Sequence, residues 1–105
     1  MGTLTYSAML TAEFDDRLLA HLQIVMTAKL RRGESFTLSY KEPTATGDGR
    51  TIIWLHSSLP LAYTFSSGEA ARINRLWIEA LMVSANSPGG LQIVPEPGSG
   101  DVGSA

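Results

Sequence analysis

The imidazoles of the chain are His21 and His56, and it has no cysteine. Together these facts bound the nucleophilic and metal chemistry open to it. His56 stands beside Ser57 and Ser58, which invites a Ser–His pair in which the ring takes the hydroxyl proton. No G-x-S-x-G elbow leads into a helix there, and adjacent residues at a strand end point to opposite faces. Polarity at a turn accounts for the same three residues. Neither histidine has another at i+3 or i+4, and neither lies in an H-x-E or H-E-x-x-H string, so a zinc site has too few ligands. Glu13, Asp15 and Asp16 crowd three acids together. A helix N-cap and the favourable end of a helix dipole explain them without a metal. The reading leans away from an enzyme, with no catalytic residue, no metal and no cofactor.

Basic residues point to a different class of partner. Lys29, Arg31 and Arg32 cluster where a helix should end, and they are the candidate nucleic-acid contact. Lys41 and Arg50 lie at the far end of the next strands, so the cations divide between two ends. Lys plus Arg is 8 against 10 for Asp plus Glu, which lacks the basic excess of a dedicated polyanion binder. No RNP1-like string and no Gly-rich phosphate loop is present. Trp54, Tyr40 and Tyr63 would stack bases if they faced solvent. Arg75, Ile78 and Met82 are the candidate protein interface. Ile78 and Met82 fall one helical turn apart, opposite the face carrying Ile73, Trp77 and Ala80. Paired apolar residues beside an arginine match interface composition.

The elements that position these residues emerge from patterning. Residues 2–6 read as a first strand. Asp15 caps a helix over 16–32, with Phe14 and Leu19 as a hydrophobic staple and Gly33 as its C′ residue. Leu18, Leu19, Leu22, Val25, Met26 and Leu30 form its apolar face, and the Lys29 ammonium reaches past them to water. His21 shares the exposed face with Arg17, Ile24, Ala28 and Arg31. Strands come next at 35–40, 51–56 and 61–65, and the second of these is apolar on both faces, as a central strand is. Ser66 and Glu69 have capping-box spacing and start a second helix. Its buried face is Ile73, Leu76, Trp77, Ala80, Leu81 and Val83. Residues 91–94 make a last edge strand before Pro95.

The expected fold class is α+β: a single two-layer domain, β-α-β-β-β-α-β, with a mainly antiparallel sheet and two helices packed on one face. The domain should span residues 1–95, with 96–105 a flexible tail that adds little stability. No apolar run approaches the roughly 18 residues of a membrane span. The start has no basic region before an apolar core, so no signal peptide is expected and the location is read as cytoplasmic.

In order along the chain, MGTLTY, FDDRLLAHLQ, KLRRGESF, DGRTIIWLH, PLAYTF, INRLWIEAL and ANSPGGLQIVPEP resemble a family of small actinobacterial proteins. The resemblance implies no established activity, although members often carry the label ATP-dependent DNA ligase. Such a ligase needs the lysine of a K-x-D-G motif to attack the α-phosphate. Here the nearest string is Thr46-Gly47-Asp48-Gly49, and Thr46 has no amine, so no covalent nucleotide adduct is expected. The expectation is a non-catalytic protein-interaction module that associates with itself through the second helix or with another protein. The alternative is a small nucleic-acid-binding accessory protein.

Overall fold

A computed structural model describes residues 1–7, 10–41 and 49–98. Strand β1 (Gly2–Tyr6) pairs antiparallel with β2 (Leu10–Phe14), in register Leu4 to Ala12. Helix α1 (Asp16–Arg31) begins where the Asp15 carboxylate accepts the Arg17 N–H at 3.1 Å. It ends at Arg32 and Gly33, whose φ of 75° is the left-handed turn expected after the last helical residue. Strands β3 (Phe36–Lys41) and β4 (Arg50–Leu55) form an antiparallel pair, and β5 (Leu61–Thr64) returns to β1. Helix α2 (Arg75–Ala85) precedes β6 (Leu91–Gln92), which lies parallel to β3.

The α+β class holds, with one strand more and one sheet more than expected. The order is β-β-α-β-β-β-α-β, and the strands divide into two sheets, β2-β1-β5 and β4-β3-β6. Strand β2, Leu-Thr-Ala-Glu-Phe, carries two weak strand formers in Ala12 and Glu13. Pairing with β1 makes it a strand, not its own propensity. The core between the sheets and helices is closed by Leu4, Leu19, Leu22, Val25, Met26, Leu38, Leu55, Leu81 and Leu91, all without solvent exposure. Burial of nine such side chains is the main source of stability.

Three expectations change, each for a physical reason. The second helix starts at Arg75, not Ser66, because Ser66 is engaged elsewhere. Its hydroxyl donates to Asp16 at 2.9 Å, and the Ser67 N–H donates to the same carboxylate at 3.0 Å. Asn74 is the true cap, its side-chain oxygen accepting the Leu76 N–H at 3.0 Å. Among the described residues the expected central strand, β4, is an edge: β3 sits between β4 and β6. The tail boundary at 95 is also corrected, since Glu96 and Pro97 are tied into the domain. Residues 99–105 and the 46–48 string lie outside the described residues.

Gly90 permits the closing strand. Its φ is +80°, and a Cβ there would fall 2.0 Å from the Thr37 hydroxyl. Only glycine lets the chain approach β3 so closely. No helix among the described residues is long and apolar enough to cross a membrane.

Candidate functional site

His21 is not on an exposed face. It is fully buried, with its ring 4.5 Å from that of Trp77. The expected helical arc is too narrow, because α2 packs on the side that carries His21. Both ring nitrogens are engaged. Nε2 accepts the backbone N–H of Asn74 at 2.8 Å, so the proton sits on Nδ1, which donates to the Arg17 carbonyl at 2.7 Å.

Arg17, Asn74 and Glu96 complete a clasp around this ring. The guanidinium holds Glu96 through two bonds, Nε to Oε1 at 2.9 Å and Nη2 to Oε2 at 2.6 Å, and donates a third to the Arg72 carbonyl at 2.6 Å. Asn74 donates its side-chain amide to Glu96 at 2.8 Å and to the Pro97 carbonyl at 3.2 Å. The Arg17 hydrogen bonds, helped by that of Asn74, lower the Glu96 carboxyl to about 2. Glu96 in turn raises the Arg17 guanidinium above its usual value. A carboxylate so held offers no proton near neutrality, and the imidazole has no free lone pair. The constellation is a structural clasp, not an acid–base pair. Asn74 carries a usable local signal, as an N-cap residue type before an apolar run. Glu96 carries none, since it lies far along the chain from Arg17.

At the other end, His56 opens a turn in which the Leu59 N–H reaches the His56 carbonyl at 3.1 Å. Nδ1 accepts the Ser58 N–H at 3.1 Å and lies 2.7 Å from the Ser58 hydroxyl, which is therefore also a donor to it. The Ser–His contact exists, but it joins residues two apart in one exposed turn. No carboxylate among the described residues bonds the imidazole. The contact closes a turn.

Lys29, Arg31 and Arg32 do not form one basic patch. Lys29 is buried, and its ammonium binds Asn86 at 2.7 Å and Glu34 at 2.9 Å while lying 5.6 Å over the Phe36 ring. Arg32 lies 3.6 Å from Glu34. Lys29 lowers the Glu34 carboxyl by this hydrogen bond, and Arg32 assists. Of the three cations, Arg31 and the outer part of Arg32 face solvent. The nucleic-acid contact expected at Lys29 is thus occupied from within the fold.

The rotation of α2 is corrected as well. Ile78 and Met82 are half-buried against the core, while Leu76 and Val83 are 45% and 73% exposed, with Ile73 exposed just before the helix. Arg75 is exposed, as expected. The segment Leu-Trp-Ile-Glu-Ala-Leu-Met-Val is apolar almost all round, so periodicity does not fix its face. Trp77 does, with its ring on His21 and its indole N–H on the Val94 carbonyl at 2.9 Å.

The most exposed apolar pair on a single strand is on β4. Ile52 and Trp54 are 54% and 57% exposed. With Arg50 they alternate outward, opposite Ser39, Thr37 and Lys41 of β3. Tyr40 and Tyr63 are not part of this face: Tyr40 is buried edge-on to Phe14 at 5.2 Å, and Tyr63 is half-buried. The outer face of the β4-β3 pair therefore carries two cations, an indole and an isoleucine, and no acid among its described residues. A groove of about 680 Å³ also runs over α1, floored by Ala20, Ile24 and Ala28 and walled by Phe65 and Ile73. Gln23, Thr27, Arg31, Ser67 and Glu69 also line it.

A family model described as Domain of unknown function (DUF7882) matches residues 1–96. No curated protein and no solved structure matches the chain.

Proposed function

The chain belongs to the DUF7882 family, a domain of unknown function, over residues 1–96, and we propose from its own geometry that it is a non-catalytic protein-interaction module. One observation carries this reading: Ile52 and Trp54 stand side by side, each more than half exposed, on a strand that among the described residues pairs on one side only. Desolvating an indole at the centre of a contact is a recurrent source of binding energy between proteins. Arg50 beside them adds another residue type enriched at such sites. The second helix contributes a separate surface of Leu76, Val83 and Arg75, in place of Ile78 and Met82. The reading includes a cytoplasmic location.

Its test is capture of partners from the cells of origin with three baits: the wild-type chain, Trp54→Ala, and Leu76→Ser/Val83→Ser. A partner retained by the wild type and lost by one surface variant supports the module. Identical capture by all three removes it.

A second reading, binding of single-stranded nucleic acid, draws on one feature. Lys41 and Arg50 are Cα partners on the face that carries Trp54, which joins phosphate-compatible charge to a stacking surface. A mobility shift with single-stranded oligonucleotides at low salt tests it, and no shift there excludes it.

A further inference from the structure

We propose that β4 pairs edge to edge with β4 of a second copy of this chain, about a two-fold axis through Ile52. The proposal rests on the interaction-module reading and names its partner.

The outward residues of β4 read Arg50, Ile52, Trp54. Read backwards, as an antiparallel partner presents them, they become Trp54, Ile52, Arg50. A two-fold axis at Ile52 therefore sets each Ile52 against its copy and each Arg50 against the other chain's Trp54. A guanidinium on an indole face is a favourable cross-strand pair, and it recurs twice. The same register covers both exposed apolar side chains, whereas a shift by one residue would put them on the wrong face.

The backbone agrees. The Gln92 N–H turns away from β3 to the Ser84 hydroxyl, so β3 meets β6 through Thr37 and Ser39 and meets β4 through Phe36, Leu38 and Tyr40. It follows that Arg50, Ile52 and Trp54 aim their N–H and C=O groups at the open edge. Tyr6 donates its hydroxyl to the Trp54 carbonyl from the other sheet, which marks the end of the usable edge and leaves the stretch from Trp54 to Arg50. That carbonyl has a second lone pair for the Arg50 N–H of the other copy. A five-residue edge without proline or an inward charge is otherwise a site of uncontrolled association, and a defined partner resolves it.

The absence of native cysteine gives a clean test. Facing Ile52 residues in a hydrogen-bonded pair lie about 5.5 Å apart at Cα, within disulfide range. Folded Ile52→Cys at tens of micromolar should cross-link under mild oxidant at least roughly tenfold faster than Val83→Cys, the more exposed position on α2. Light scattering should give a dimer for the wild type and a monomer for Ile52→Lys, in which two ammonium groups would face each other. Circular dichroism checks that each variant is folded. A monomeric wild type, or faster cross-linking of Val83→Cys, overturns the proposal. If the wild type is monomeric but Ile52→Lys loses a captured partner, self-pairing fails and the interaction module stands. If capture is also indifferent to both surfaces, both fail.

Discussion

Asn74 gives its backbone N–H to Nε2 of His21 at 2.8 Å, and that bond fixes the start of α2 against the second turn of α1. The same residue caps α2 with its side-chain oxygen and holds Glu96 with its amide. Near the far ends of the helices, Lys29 reaches Asn86. The two helices therefore run side by side in one direction, pinned at both ends.

Asn74→Ala removes the cap and one bond to a carboxylate, a loss of about 2 kcal/mol. For a domain of this size that is a fall in melting temperature of about 10 °C. Asn74→Asp restores the capping oxygen but sets a second carboxylate beside Glu96, so it should not recover the wild-type value. An Asn74→Ala protein that melts with the wild type would contradict the clasp.

Glu96 makes the clasp depend on pH. Its carboxyl titrates at about 2 in the folded chain, against 4.5 as the reference for the unfolded one. As pH falls the unfolded chain takes up its proton first, so the contribution to folding is complete above 4.5 and drains away as pH drops through the folded value. Asp16 and Glu34 are lowered too and act in the same direction. Unfolding of the wild type and Glu96→Gln should differ at pH 7 and at pH 5, and the two should converge towards pH 2. A gap that is constant across the whole range would disprove the linkage.

Shortening the chain separates the clasp from the residues beyond it. A chain ending at Gly98 keeps the bonds of Arg17 and Asn74 to Glu96 and Pro97, and it should melt within a few degrees of the whole chain. A chain ending at Pro95 leaves the Arg17 guanidinium without its carboxylate and should melt distinctly lower. Equal melting of the two would place the end of the domain at 95 after all.

Gly90→Ala drives a methyl into the Thr37 hydroxyl and demands a left-handed backbone from alanine. Adding Thr37→Ala removes the worst clash but leaves the Thr37 carbonyl 2.8 Å from the new methyl. The double variant should therefore recover only part of the lost stability. Full recovery in urea unfolding would show that backbone approach is not the constraint.

Much of the local structure is legible in the sequence. Asp15, Gly33 and the spacing of Leu19, Leu22 and Met26 mark α1 almost to the residue, because capping and amphipathic burial are short-range. The illegible part depends on partners distant in the chain. Ser66 looks like a helix cap until Asp16 claims its hydroxyl. The apolar run of β4 looks central until β6 takes the other side of β3. Ile78 and Leu76 are equally apolar, and only Trp77, held by His21 and Val94, decides which of them faces in. The candidate interaction face is visible as residue types in Trp54 and Arg50. Its exposure is not, since nothing local distinguishes an edge from a centre.

Arg17 finds its carboxylate 79 positions further along, and the closing strand β6 docks on a strand made long before it. Protein synthesis runs from the N-terminus, so α1 leaves the ribosome well before the residues that will fasten it. The β1-β2 hairpin and α1 can form early, but the β4-β3-β6 sheet awaits Leu91 and Gln92, and the clasp awaits Glu96. Such late, non-local closure slows folding. A nascent chain stalled before Glu96 would therefore hold its first helix unfastened and remain open to proteases at the tunnel exit.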